Sequence, residues 1–171
     1  MPQTYTPLAS TTLTSAQSSV TFSSISSAYT DLVLVINAAT DGAHAFLNVQ
    51  LNSDTGTNYS YTELLGNGTT AISGRYSNAN QMFNANLALQ QTTISYNATM
   101  HLLNYSNTAI FKTSLLRANN TGSDYPGAQA QVGLWRNTAA ITSIKLFSSR
   151  GATSYNFSSG STFTLYGILK A

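Results

Sequence analysis

An all-β fold, a two-sheet antiparallel sandwich of jelly-roll type, is predicted by three features of the sequence. Apolar and polar residues alternate at period two in most of the apolar stretches. Clusters of Gly, Asn, Asp and Ser punctuate those stretches at short intervals. No segment carries a convincing stripe at the 3.6-residue helical period. Eight to ten short strands in one chain of this length fit a sandwich.

The elements follow in order. Residues 1–17 hold Pro2, Pro7 and many Ser and Thr, and are expected as an extended arm leading into a single domain over residues 18–171. Val20-Thr21-Phe22 alternates. Leu32 to Ile36 is a continuous apolar run suited to a strand buried on both faces. Leu47, Val49 and Leu51 share one face of the next strand. Met82 to Gln91 makes a poor helical face and reads as strand. Ile94, Tyr96, Ala98, Met100 and Leu102 form a long stripe, and Phe111, Thr113 and Leu115 continue the theme. Ala130, Val132 and Leu134 alternate with Gln129 and Gln131. Ile141 to Phe147 is β-prone, and Thr162 to Leu169 closes the domain as a strand pinned inside a sheet. Turns are expected at Asp41-Gly42, Asp54-Thr55-Gly56, Gly66-Asn67-Gly68, Asn119 to Gly122 and Ser158 to Ser161.

Charge is scarce. Asp, Glu, Lys and Arg make up 7% of the 171 residues, against about 25% in an ordinary soluble domain. Ser, Thr, Asn and Gln take their place at roughly 40% of the chain. A net charge of +2, with the basic residues spread singly, argues against nucleic-acid binding. With no Cys there is neither a disulfide nor a thiolate metal site. The N-terminus lacks a basic start and an apolar run, so synthesis in a cytosol without an ordinary export signal is expected. No apolar run is long enough for a transmembrane helix, and no membrane partner is expected.

Chemistry-bearing residues are few. Asp41, Asp54 and Asp124 lie in turn sequences, where an Asx side chain accepts from backbone donors. His44 and His101 are isolated and lack metal-ligand spacing. There is no nucleophile elbow and no phosphate-binding glycine pattern. Neither an enzyme nor a cofactor is expected. A glycan hydrolase, the least favoured class, would need a carboxylate pair drawn from Asp31, Asp54, Glu63 and Asp124. Tyr5, Tyr59, Tyr61, Tyr76, Tyr105, Tyr125 and Tyr155 lie in polar, turn-like sequence. They suit either a contact surface or a roof over the sandwich ends. Trp135-Arg136 is either a cation–π unit or a strand end packed on the core. The strands carry few of the Lys, Pro and inward charges that block sheet edges, so other subunits are expected to cover them.

Tyr5-Thr6-Pro7-Leu8-Ala9, Ser18 to Ile25, Tyr29 to Leu34, Asn52 to Ser60 and Asn104 to Thr108 carry a resemblance that spans nearly the whole chain. Leu134-Trp135-Arg136, Ala140 to Ile144 and the most specific block, Ser159 to Ile168, complete it. The chain resembles small all-β virion structural proteins of tailed bacteriophages, cyanophages included. The resemblance implies a capsid decoration or cement protein. Such a protein is a jelly-roll homotrimer on the head exterior that bridges major capsid subunits. Pro2, Tyr5, Pro7, Leu8 and Leu13 of the arm would then be partner contacts. The alternative is a tail-fibre or receptor-binding module, with exposed Tyr and Trp135 stacking on sugars. No catalytic motif comes with the resemblance.

Overall fold

Leu32, Leu34 and Ile36 alternate with Val33, Val35 and Asn37, and in the computed structural model this run is β3 (Asp31–Ala38) at the heart of a sheet. The structure describes residues 4–42, 44–82, 87–89, 96–122 and 126–169. Among them lie eleven further strands: β1 (Tyr5–Thr12), β2 (Ser19–Phe22), β4 (Phe46–Leu51), β5 (Tyr59–Gly66), β6 (Ala71–Ala79), β7 (Tyr96–Leu103), β8 (Lys112–Asn120), β9 (Gly127–Trp135), β10 (Ile144–Arg150), β11 (Thr153–Tyr155) and β12 (Thr162–Ile168).

Eight strands form one sheet in the order β1-β12-β3-β7-β8-β9-β5-β6. β10 organises the smaller sheet: β2 and β11 pair with it, and so does β4. Every one of these ladders is antiparallel. The inner faces of the two sheets share one apolar cluster. Leu34, Ile36, Met100, Leu116, Phe163 and Leu165 come from the large sheet, and Phe22, Leu47, Val49, Leu51, Ile144 and Leu146 from the small one. The all-β, antiparallel, sandwich-like architecture is therefore as the alternation predicts. The unequal division into eight and four strands differs from a jelly roll of evenly matched sheets.

Residues 5–12, expected as part of a projecting arm, are the edge strand β1. They pair with β12 from Tyr5 opposite Ile168 to Thr12 opposite Thr162, with a bulge between Pro7 and Ala9. Without β1, the backbone groups along that side of β12 would lose their partners. Leu13 continues inward, donating its N–H to Ser161 O at 2.9 Å and accepting from Gly160 N at 2.7 Å. The Met82 to Gln91 stretch also differs from its expected strand. Its described residues make two isolated bridges, Met82 to Val49 and Leu89 to Ala45. Residues 83–86 and 90–91 lie outside the described residues, as does Ile94.

Turn positions are close to those predicted. After β4 the left-handed residues are Asn52 (φ 51°) and Ser53 (φ 57°), one step before the expected Asp-Thr-Gly turn. Gly68 (φ 87°) and Gly160 (φ 85°) supply the positive φ their turns need.

Candidate functional site

The large sheet has one face on the core and one toward solvent. On β8, Lys112, Ser114, Leu116, Ala118 and Asn120 point inward, so Thr113, Leu115, Arg117 and Asn119 point out. The register aligns this outer set into rows across strands. Val33, His101, Leu115, Val132, Thr62 and Arg75 form one row across β3, β7, β8, β9, β5 and β6. Val35, Thr99, Arg117, Ala130, Leu64 and Ser73 form the next, and Asn37, Asn97, Asn119, Ala128 and Gly66 the third.

These rows make a surface with two parts. Leu115 and Val132 are cross-strand partners, 48% and 52% exposed, and Leu64, at 62%, lies diagonally beside Val132. Such large side chains held in water together mark a contact surface more than a scattered leucine would. Beside them an open trough of about 870 Å³ crosses β3, β7, β8, β9 and β5. Small residues, Ala128, Ala130 and Gly66, keep its floor low, and Asn37, Asn97, Asn119, Arg117 and Leu64 rise around it. The asparagines are linked: Asn97 Nδ2 donates to Asn119 Oδ1 at 3.3 Å and Asn37 Nδ2 to Thr162 Oγ1 at 3.2 Å. The Arg117 guanidinium makes no ion pair among the described residues.

The acidic candidates are structural. Asp31 Oδ1 accepts from Asn104 N at 2.7 Å, and Oδ2 lies 3.2 Å from His101 Nε2. His101 is thus paired, not isolated. Asp41 accepts from Asn156 N at 2.8 Å and from Asn156 Nδ2 at 2.7 Å. Glu63 is buried on the inner face of β5 and accepts from Gln129 Nε2 at 2.6 Å, while both ends of the buried Gln131 amide lack partners. Asp31, beside the outward-facing His101, and the inward-facing Glu63 therefore serve opposite faces of one sheet. Asp124 and Tyr125 lie outside the described residues. Among the described residues no group of three or more His, Asp or Glu could hold a metal ion, and no helix is long and apolar enough to cross a membrane.

Asp54 anchors one end of the sandwich. It accepts from Gly56 N at 2.8 Å, Asn58 Nδ2 at 2.9 Å and the Trp135 indole Nε1 at 2.7 Å. Burial pushes its carboxyl up, but the three donors together outweigh burial and hold it below the ordinary value. The bonds to a charged acceptor predict that Asp54→Ala costs about 2–3 kcal/mol and red-shifts the fluorescence of the sole tryptophan. A carboxyl held low contributes stability above its unfolded pKa of 3.8, and loses it as the pH falls below that value. The acid sensitivity of wild type should shrink accordingly in the variant, as read from urea midpoints.

Trp135 and three of the tyrosines in turn-like sequence are core. Trp135 is 1% exposed and stacks on Tyr59, with ring centroids 6.3 Å apart. It therefore cannot stack on a sugar, and Arg136 turns away to Thr57 O and Asn78 Oδ1. Tyr59, Tyr61 and Tyr105 are buried, and the Tyr155 ring fills the space where a Cβ on Gly42 would sit. Only Tyr5 and Tyr76 stand well exposed among the described members of that set.

The expected partner contacts divide likewise. Tyr5 and Pro7 are exposed on β1, with Tyr5 edge-on to Tyr166. Leu8 is half-buried against the core and Leu13 is buried within it, so Leu13 is unavailable to a partner. Pro2 lies outside the described residues. The rows of the outer face were missed in the sequence, and so was β6, the exposed strand at the far edge. Pro7 and its bulge do blunt the β1 edge, which the sequence reading had counted as unprotected. The chain matches no protein-family model and no curated protein.

Proposed function

We propose that this chain is a structural protein of a bacteriophage virion. It decorates the capsid exterior, seated through the outer face of its eight-stranded sheet. The observation that carries this reading is the contiguous exposure of Leu64, Leu115 and Val132 on that face. An apolar patch of that kind gains free energy by meeting another apolar protein surface, and that part of the gain depends little on salt. Asp31, Asp41 and Asp54 accept from backbone donors in loops and at strand ends, and Glu63 accepts from Gln129 between β5 and β9. That suits a protein whose work is contact and not chemistry.

Cryo-EM of the intact particle tests it. The expected result is the sandwich on the head with its large sheet against the shell. Density on the tail, or none on the particle, overturns it. The double variant Leu115→Asp/Val132→Asp should weaken head binding by about 100-fold while leaving the circular dichroism spectrum unchanged. Head binding by the wild type should survive about 1 M salt.

The trough favours a second reading, a receptor-binding module for glycans. A row of carboxamides and one guanidinium above a floor of small residues suits hydroxyl-rich chains, with Asn97, Asn119 and Arg117 as donors. Retention on host polysaccharide that Asn119→Ala abolishes, with label on the tail, would favour it over decoration.

A further inference from the structure

Among the described residues β6 and β1 are the two edges of the large sheet, and β6 is the one that carries no proline. Among the described residues no strand pairs with its outer side, and the whole strand from Ala71 to Ala79 is exposed or half-buried. Its nine residues include no proline and no lysine, and Arg75 is its only charge. The opposite edge, β1, is blunted by Pro7 and its bulge. A head-to-tail stack of sheets, edge β6 onto edge β1, is therefore disfavoured. Pairing of the open edge with its own copy closes after two chains.

We propose that two copies of this chain associate through antiparallel pairing of β6 with β6, centred on Gly74. The strand is self-complementary in that register. Its two exposed large hydrophobics, Ile72 at 43% and Tyr76 at 41%, stand symmetrically about Gly74. Each Ile72 then faces the Tyr76 of the second copy, an aliphatic–aromatic pair made twice across the twofold axis. Tyr76 is already backed by Tyr61, stacked at 4.6 Å between centroids, so its ring is held ready. On the other face Ser73 meets Arg75 of the second copy, which keeps the two arginines from direct opposition. Gly74 suits the crowded centre: a Cβ there would come within 3.1 Å of both Glu63 Oε1 and the Tyr76 ring.

No other symmetric register does as well. Centring on Arg75 would set two like charges face to face, and centring on Ser73 would leave both Tyr76 rings opposite Thr70, beyond the strand. Pairing also satisfies the row of edge N–H and C=O groups, the feature that makes an uncovered edge reactive.

Analytical ultracentrifugation of the full chain across a concentration series is the test. The wild type is expected to be a dimer that dissociates on dilution. Ser73→Lys places a lysine opposite Arg75 at two symmetric points and should raise the dissociation constant about 10-fold. The double variant Ser73→Lys/Arg75→Glu restores opposite charges and should recover the dimer. The pair Ser73→Cys/Arg75→Cys, in a chain with no other cysteine, should give a covalent dimer on mild oxidation. A wild type that stays monomeric, or that forms trimers, overturns the proposal. So does a dimer indifferent to the charge swap. Each result is read on the isolated chain and is independent of where the protein sits on a particle.

Discussion

Lys112→Met is expected to cost about 3–5 kcal/mol. Lys112 starts β8 on its inner face and is fully buried. Its ammonium donates to three main-chain carbonyls, Asn107 O at 2.6 Å, Ile110 O at 2.8 Å and Thr138 O at 2.9 Å. Two of these belong to the loop before β8 and the third to the loop after β9, so one side chain ties two loops to the end of the sheet. Burial lowers its pKa from 10.5, so the charge is held at a cost that the three bonds offset. Methionine keeps the stem and removes every donor. The three carbonyls lose a charged donor together, and each such bond is worth about 1.5–3 kcal/mol. Urea unfolding followed by Trp135 fluorescence measures the loss, since Trp135 is the cross-strand partner of Lys112. Lys145→Met is the control: Lys145 is exposed over the Phe147 ring, at 5.4 Å from its centroid. That change should cost under about 1 kcal/mol. Equal losses in the two variants would refute the role given to the carbonyl cage.

Lys112 also illustrates what the sequence conceals. A lysine beside Phe111 and Thr113 at a strand start reads as a solvated charge, and only the return of Thr138 from beyond β9 closes its cage. Glu63 has the same effect on β5. Tyr59, Tyr61, Glu63 and Leu65 share the inner face, but a carboxylate in that series breaks the apolar alternation, and the strand was not expected. β6 lacks any inward stripe because it is an edge strand whose residues are exposed or half-buried on both faces. Its side chains have little to bury against, so period two leaves no mark. β3, β7 and β12 were legible for the opposite reason. Their inward residues all meet the second sheet, and Leu, Ile, Met and Phe record it. The apolar patch on the outer face could not be read at all. Leu64, Leu115 and Val132 are brought together by the ladders of β8 and β5 with β9, and no local spacing encodes those registers. Likewise, polar neighbours around Tyr59 and Tyr105 signal a turn, whereas the rings themselves point into the core.

Those buried tyrosines make the fold sensitive to alkali. Burial, with the nearby Asp54 charge adding to it and a bond to Leu51 opposing it, pushes the Tyr59 hydroxyl up to about 12. Burial alone raises Tyr96, whose hydroxyl has no hydrogen-bond partner among the described residues, and burial also raises Tyr105. In the unfolded chain all three ionise near 10. Between about pH 10 and pH 12 the folded state therefore binds more protons than the unfolded one, and stability falls as pH rises through that window. Below pH 10 their contribution is fully present. Lys112 acts with the opposite sign: its pKa is lowered, so it adds stability as pH rises toward 10.5 and none beyond. Tyr59 and Tyr96 each cost about 1 kcal/mol per pH unit across the window. Tyr59 and Tyr96 alone remove about 5 kcal/mol by pH 12, comparable with the whole stability of a small domain. Unfolding midpoints in urea should hold or rise slightly up to about pH 10 and then drop steeply, with the tyrosinate absorbance of the buried rings appearing only at the unfolding step. Tyr96→Phe separates burial from any general effect of alkali. It removes one titrating group and an unpartnered buried hydroxyl together. The variant should be at least as stable as wild type at about pH 8 and should lose stability less steeply above pH 10. A variant that follows the wild-type curve throughout would show that Tyr96 is ionising freely, and that its ring is not buried as described.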